Sequence, residues 1–494
     1  MQPALRMPRW LTPVSAAFVG SLLLSLAARL SGSINRDGML YVNAAQLFID
    51  GGFSAAREIF AWPFLPVLIG ILAKITGLGP ENAGYLLNAL FMAGTCALLV
   101  ACSRREHPET AWMVCLATLA IPGLNEYRNE LLREYGCWFF IMLAFWLAVR
   151  WSERPRWPGA LAAQASLVAA ALFRPEALAL FAALIGWQAF AAPRGERVKR
   201  LVMIGGPALA GVTALLALHV TGKLDGRLAG DLGRLSPLRF NLKAQAIAAT
   251  LPDFAQEHAR TILFFGSLAI IPVKFFAKIG IFVVPLFAFL AGRQVREALA
   301  RHALFAWGFG TYLLVLAVFV TDQQFLAGRY VAFLYLMSAP FLGWGLLELV
   351  QHFPRWRLPV IIVGVTLMLA NVISLGPGKT HFVDAGKWLA ANVTDSPRVY
   401  SESGRAAYYA GWRRHQARQP GEHTQHTAAI ARGDYDLLIL EISRKDADFD
   451  RWAESTGLRI VQRFVHPNRD AVIVAVPAAA DQSRSTPSST ERKR

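Results

Sequence analysis

The sequence predicts a polytopic α-helical membrane protein of about 11 transmembrane helices, with a small C-terminal α/β domain outside the membrane. Three observations predict it. Apolar residues make up 55% of the 494 and charged residues 17%, with a mean hydropathy of +0.38, which is more apolar surface than a soluble core can hide. Apolar runs close to bilayer length, about 20 residues or fewer where a helix is interrupted, recur at 11–30, 83–102, 110–122, 135–150, 159–173, 176–192, 200–220, 279–292, 303–320, 330–350 and 357–375. Beyond residue 376 the composition becomes that of an ordinary globular domain.

The first run has no small-residue cleavage site and reads as a retained anchor, not a signal peptide. Short basic loops stay in the cytoplasm. Arg6/Arg9, Arg104/Arg105, Arg150/Arg154/Arg156, Arg194/Arg197/Lys199/Arg200, Arg293/Arg296/Arg301 and Arg355/Arg357 each occupy a tight linker. All six fall inside only if Trp62–Gly77 is an interfacial or re-entrant helix. That stretch carries two prolines and Lys74 and is barely long enough to cross. Eleven spans follow, with the amino terminus inside and the carboxyl terminus outside. The loops at 31–82, 123–134, 221–278 and 321–329 and the turn at Arg174-Pro175-Glu176 then share the outer face. The Ala/Arg/Leu-rich composition points to a bacterial inner membrane.

The expected organisation is a membrane domain over 1–376, with outer-face interfacial helices at about 31–82, and a periplasmic α/β domain over 377–477. Helix-like segments at 383–392, 404–411 and 447–456 alternate there with strand-like segments at 398–401, 435–442, 458–465 and 471–476. Residues 478–494 are Ser/Thr/Arg-rich and read as a disordered tail. Cys96, Cys102, Cys115 and Cys137 lie in or beside spans without metal-ligand spacing, so they read as apolar fillers. The net charge of +17 is scattered among the spans and is explained by topology and phosphate-bearing lipids, not nucleic acid. No internal repeat is visible, which weakens a transporter built from inverted halves.

The charged residues of the outer face carry the chemistry. Asp37 and Tyr41 stand four apart, on one face of an expected short amphipathic helix that Gly51-Gly52 ends. Asp37 is either a general base aimed at the interface, with Tyr41 positioning a ligand, or a helix N-cap beside an interfacial anchor. Residues 125–136 hold Glu126, Arg128, Glu130, Arg133 and Glu134 just ahead of a span. Ion pairing accounts for them plainly; a second carboxylate beside arginines able to grip phosphate is the sharper account. Arg174 and Glu176 sit in a turn held close to the lipid, and Arg329-Tyr330 opens the tenth span. Snorkelling explains any one of these arginines. It explains less well why Arg128, Arg133, Arg174, Lys274, Lys278 and Arg329 recur on the side that topology keeps poor in cations.

At Asp37-x-x-x-Tyr41 the chain resembles the GT-C glycosyltransferases, in the family 39-like branch of protein O-mannosyltransferases and lipid A aminoarabinose transferases. The resemblance also rests on Glu134 with Arg133 before a span, the Arg174 turn, Arg329-Tyr330 opening a late span, and the outer C-terminal domain. It implies a GT-C-like fold of about 11 transmembrane helices and transfer of a sugar from a polyprenyl-phosphate donor on the outer face. It also implies Asp37 as the first-loop catalytic carboxylate and Glu134 as the second acidic position. Gly38 stands where the family often has Glu, Glu134 where it often has Asp, and the lysine-proline motif of the aminoarabinose branch is missing around Trp62-Pro63. Neither sugar nor acceptor is carried over from that branch.

The expected function is therefore an inverting membrane glycosyltransferase. Asp37 is the base and Glu134 the second catalytic acid, while Tyr41, Arg128, Arg133, Arg174, Glu176, Arg329 and Tyr330 bind substrate. The partners expected are a polyprenyl-phosphate sugar donor, a lipid, glycan or protein acceptor, and membrane lipids. The apolar stretches 62–77 and 261–279 are expected to seat the prenyl tail. No cofactor is required; a divalent metal near Asp37 and Glu134 is compatible with the acids, but no ligand spacing demands it. The alternatives are a transporter or lipid flippase, and an O-antigen ligase-like assembly protein, for which the 321–329 loop is short. In a chain whose four native cysteines are replaced, Asp37→Cys should react with an impermeant thiol reagent from the outer face; reaction only from inside overturns the topology.

Overall fold

The structure is a computed structural model that describes residues 11–29, 33–221, 237–373, 378–393, 398–412, 417–446 and 448–478. Arg6/Arg9, the Gly376-Pro377 linker and the Ser/Thr/Arg-rich tail after residue 478 lie outside the described residues. The chain divides into two compact units, one of Met1–Arg29 with Tyr85–Ile373 and one of Leu30–Gly84 with Ser374–Arg494.

The first unit is helical. In chain order it contains α1 (Pro13–Arg29), the larger part of α4 (Pro80–Glu106), α5 (Ala111–Ala120), α6 (Pro122–Asn125), α7 (Glu134–Glu153), α8 (Trp157–Phe173), α9 (Leu180–Ala191) and α10 (Arg197–Val220). Then come α11 (Pro237–Ala248), α12 (Asp253–Gln256), α13 (Ala259–Ile279), α14 (Val283–Ala291), α15 (Val295–Arg301), α16 (Ala303–Gln323), α17 (Gly328–His352) and α18 (Arg357–Ala370). Helix occurs at each of the eleven apolar runs. Among the described residues, five helical stretches are long and apolar enough to cross a membrane: Pro80–Glu106, Glu134–Glu153, Ala259–Ala291, Ala303–Gln323 and Gly328–His352.

These five differ in how they are surrounded. In the most apolar window of α17, 89% of residues are buried, against 28% in the stretch Ala259–Ala291. A helix apolar on every side is stable when protein or lipid covers it all round; α17 is covered by protein. Its close packing has a sequence cause in Gly345, where an added Cβ would run into the backbone carbonyl of Pro285 in α14. The expected outer loop at 221–278 is corrected. Its described part is mostly helix, in α11, α12 and α13. Pro272, Lys274 and Lys278 interrupt the apolar run in the sequence, yet all three sit within α13, which ends at Gly280 with φ 61°.

The second unit joins two distant stretches of chain. From the first come α2 (Arg36–Ile59), α3 (Phe64–Thr76) and the start of α4. The expected stop at Gly51-Gly52 is a break within α2: Gly52 takes φ 77°, which a side chain would resist, and helix resumes to Ile59. Helix α3 has 13 residues, roughly 20 Å at 1.5 Å per residue and short of a bilayer core of about 30 Å. It packs on α2, and Gly70 leaves room for the Phe48 ring.

The C-terminal stretch builds a four-stranded sheet of β1 (Val399–Ser401), β2 (Leu437–Ile442), β3 (Leu458–Val465) and β4 (Ala471–Pro477), in the order β1-β2-β4-β3. β1 runs parallel to β2, with Val399 opposite Leu437, and the other two pairings are antiparallel. The run AVIVAVP is apolar on consecutive positions because both faces of β4 are covered. On one face Leu438, Leu440 and Ile473 pack with Phe449 of α22 (Phe449–Ser455). On the other, Ile439, Val472 and Val474 pack with Phe382 and Leu389 of α19 (Thr380–Asn392). Two shorter helices, α20 (Gly404–Tyr409) and α21 (Thr427–Ala431), lie between β1 and β2 in sequence. The expected strands and helices of this region recur within a few residues; α21 is additional.

His381 of α19 is 5% exposed, with its ring 5.1 Å from that of His466. Burial, seconded by the nearby His466 and Arg405, lowers its pKa to about 4. An unfolded histidine titrates near 6.5, so between those values the unfolded chain binds the additional proton. The stability that the neutral ring contributes is present above about pH 6.5 and is lost as the pH falls towards about 4. Tryptophan fluorescence of the purified protein should report looser C-terminal packing across that window, and His381→Phe should flatten the dependence.

Candidate functional site

In the first unit, three segments bring charge to one place. α7 begins at Glu134, so the carboxylate lies in a first helical turn, where exposed N–H groups favour negative charge. Arg174 lies between α8 and the 3-10 turn Pro175–Ala179 with φ −146° and ψ 112°. Pro175 imposes that extended backbone by crowding the residue before it out of the helical region. Arg329 is the second residue of α17, where the helix dipole disfavours a cation.

The resulting contacts form one network. Arg174 Nη1 donates to Glu134 Oε1 at 2.7 Å, and Arg174 Nε donates to Glu176 Oε1 at 2.5 Å. Arg329 Nε lies 3.4 Å from the same Glu134 oxygen. The Arg174 guanidinium also stands 4.6 Å from the Tyr330 ring centre and the Arg329 guanidinium 5.6 Å from it, within reach of a cation–π contact. Side-chain exposure is 4% for Glu134 and 12% for Arg174, so these charges are largely out of water. Glu134 Oε2 is buried and has no hydrogen-bond partner among the described residues.

Arg133, at the N-cap of α7, is half-buried, and its charge acts on Glu176. Arg174 and Arg329 thus share Glu134, and Glu176 holds Arg174 from its other side. With Oε1 already shared by two guanidinium groups, Glu134 is placed to orient arginines. Arginines held in this way suit an anion with several acceptor oxygens, because guanidinium groups bind phosphate and carboxylate in a forked geometry.

The other cations have different tasks. Arg128 is 3% exposed. It donates from Nε to Asn125 Oδ1 at 2.6 Å and from Nη1 to the Ser21 carbonyl, Ser21 Oγ and Ser25 Oγ at 3.0, 3.0 and 2.8 Å. It ties the loop after α6 to α1, which is a structural arrangement. Ser21 and Ser25, four apart and both buried on α1, are the sequence signal of that buried partner. Lys278 pairs with Glu126 at 2.8 Å. Asp322 is met by Lys243 at 3.3 Å and Arg239 at 3.8 Å, both from the stretch expected to be a loop.

In the second unit, Asp37 lies in the first turn of α2 and is partly buried. The N-cap is Asn35, so Asp37 is not the capping residue. Tyr41, 5% exposed, packs edge-on against Phe60 with ring centres 5.4 Å apart, and so belongs to the packing of this helix. The C-terminal stretch holds the start of α2. The Ile34 N–H donates to Tyr409 Oη at 3.1 Å, and Arg36 Nη1 donates to Gln419 Oε1 at 2.9 Å. Tyr408 Oη donates to Glu81 Oε2 at 2.7 Å. Tyr408, Tyr409 and Gln419 carry no motif and are found only through these contacts. Among the described residues, no group of three or more His, Cys, Asp or Glu side chains is placed to hold a metal ion.

No family model matches the chain, and no curated protein matches it. Its structural neighbours include two crystal structures of ArnT from Cupriavidus metallidurans, each 14% identical to it. One, bound to undecaprenyl phosphate, has a TM-score of 0.43 and matches 94% of this chain and 97% of its own. The other, in the apo state, has a TM-score of 0.42 and matches 95% and 98%. Both neighbours are lipid A aminoarabinose transferases of the GT-C superfamily. A likeness of that size carries no substrate or residue role across.

Arg128 and Arg174 should separate on mutation. Arg128→Met should lower stability by roughly 1–3 kcal/mol, the cost of stranding its buried partners, seen as a lower melting temperature in detergent. If the melting temperature is unchanged, Arg128 is not the tie described.

Proposed function

We propose that the protein is a membrane glycosyltransferase that moves a sugar from a polyprenyl-phosphate donor to an acceptor hydroxyl, with inversion at the anomeric carbon. The observation that carries this reading is the arginine-rich cluster around Glu134. Its guanidinium groups, oriented by Glu134 and Glu176 and partly removed from water, fit a phosphate leaving group. In this reading the chain crosses a bacterial inner membrane eleven times, with the amino terminus in the cytoplasm and the C-terminal domain in the periplasm.

Asp37 accepts the proton of the acceptor hydroxyl as its oxygen attacks the anomeric carbon, a general-base role. The bond from that carbon to the phosphate oxygen breaks, and the prenyl phosphate leaves as a monoester carrying one more negative charge. Arg174 and Arg329, held by Glu134 and Glu176, and Arg133 beside them stabilise that charge. Tyr330 packs against the guanidinium groups and keeps them oriented. The acceptor, whether lipid, glycan or protein, is met from the C-terminal side, where the polypeptide grips the start of α2.

A deletion strain complemented with variants tests the reading, with envelope lipids and glycoconjugates followed by mass spectrometry. Asp37→Asn should reduce product by about a hundredfold or more, as for loss of a general base, with expression and membrane insertion intact. Arg174→Ala should weaken donor use more than folding. Wild-type product from Asp37→Asn removes that residue from the mechanism. Counterflow of labelled substrate across vesicles with no covalent product would establish a transporter instead.

A further inference from the structure

An apolar groove of about 540 Å³ opens within the first unit. α5 contributes Leu116, the turn before α14 contributes Phe282 and α14 itself Pro285, α17 contributes Leu346, and α18 contributes Val360 and Leu367. Arg355 lines it too, as its one charged residue, beside Trp356, which is 53% exposed. Its volume falls within the range of about 300–1,000 Å³ typical of small-molecule sites.

The described linker cations fall into a paired group and an unpaired group, and those at this groove belong to the second. Arg105 pairs with Glu153, Arg200 with Glu196 and Arg301 with Glu297. Among the described residues, Arg355 and Arg357 have neither an ion pair nor a side-chain hydrogen bond. Phe353-Pro354-Arg355-Trp356-Arg357-Leu358 also contains no acid. An apolar trough, unneutralised guanidinium at its edge and a tryptophan of the kind that settles at headgroup depth match the two ends of one amphiphile.

We propose that this groove binds an anionic glycerophospholipid, with an acyl chain along α17 and α18 and the headgroup phosphate on Arg355. The negative lipids of a membrane surface attract such residues individually. Here the trough adds a seat for the chain, so occupancy depends on groove shape as well as charge. The site uses none of the residues assigned to sugar transfer and stands or falls independently of that reading.

Native mass spectrometry of the protein released from nanodiscs of phosphatidylglycerol and phosphatidylcholine tests it. Wild type should retain phosphatidylglycerol preferentially. Arg355→Ala should cut that retention about fivefold, the size of one arginine–headgroup contact, and Arg355→Lys should restore most of it. Leu367→Phe, which narrows the trough, should lower retention of both lipids. Equal retention of the two lipids by wild type, or retention unaffected by Arg355→Ala, overturns the proposal. Arg355 is exposed, so that variant remains informative should Leu367→Phe fail to fold.

Discussion

One carboxylate oxygen, Glu134 Oε1, holds two guanidinium groups where α7, the turn after α8 and the first turn of α17 converge. Each charge needs the others. Removed from water singly, any of them would cost several kcal/mol. Arg329 has the further handicap of standing at the positive end of a helix. Glu134 offsets both penalties, while Glu176 completes the coordination of Arg174 from the other side. Because Pro175 fixes the backbone of Arg174 and protein encloses most of α17, the arginines are held by covalent constraint and packing as well as by charge. That rigidity is what an electrostatic site requires, since fixed donors need no reorganisation when charge develops opposite them.

Much of this was legible in the sequence, and the reasons are specific. Glu134, Arg174, Glu176 and Arg329 stood out because ionisable residues at the ends of apolar runs are expensive and therefore informative. The C-terminal strands were legible because alternation and turn residues bound them. Pairing was not legible. Nothing local states that Arg128 reaches back to Ser21 and Ser25, or that Lys278 is taken by Glu126, since such contacts join residues more than a hundred positions apart. The helices over 237–279 were missed for a different reason. The apolar stretch 261–279, interrupted by Pro272, Lys274 and Lys278, reads in sequence as part of an outer loop, whereas all of it lies within α13.

Asp37 and Tyr41 show how spacing can be right while roles diverge. Four residues apart on α2, they share a helical face as expected, yet Tyr41 is absorbed into packing against Phe60 and Asp37 remains partly accessible. The capping explanation for Asp37 fails on position alone, because Asn35 occupies the cap.

The grip of Tyr409 and Gln419 on the first turn of α2 spans more than 370 residues of intervening chain. A ribosome makes those partners long after it has made the helix. Until they emerge, the helix bearing the candidate base waits without its clamp, and this part of the nascent chain has yet to reach its working shape.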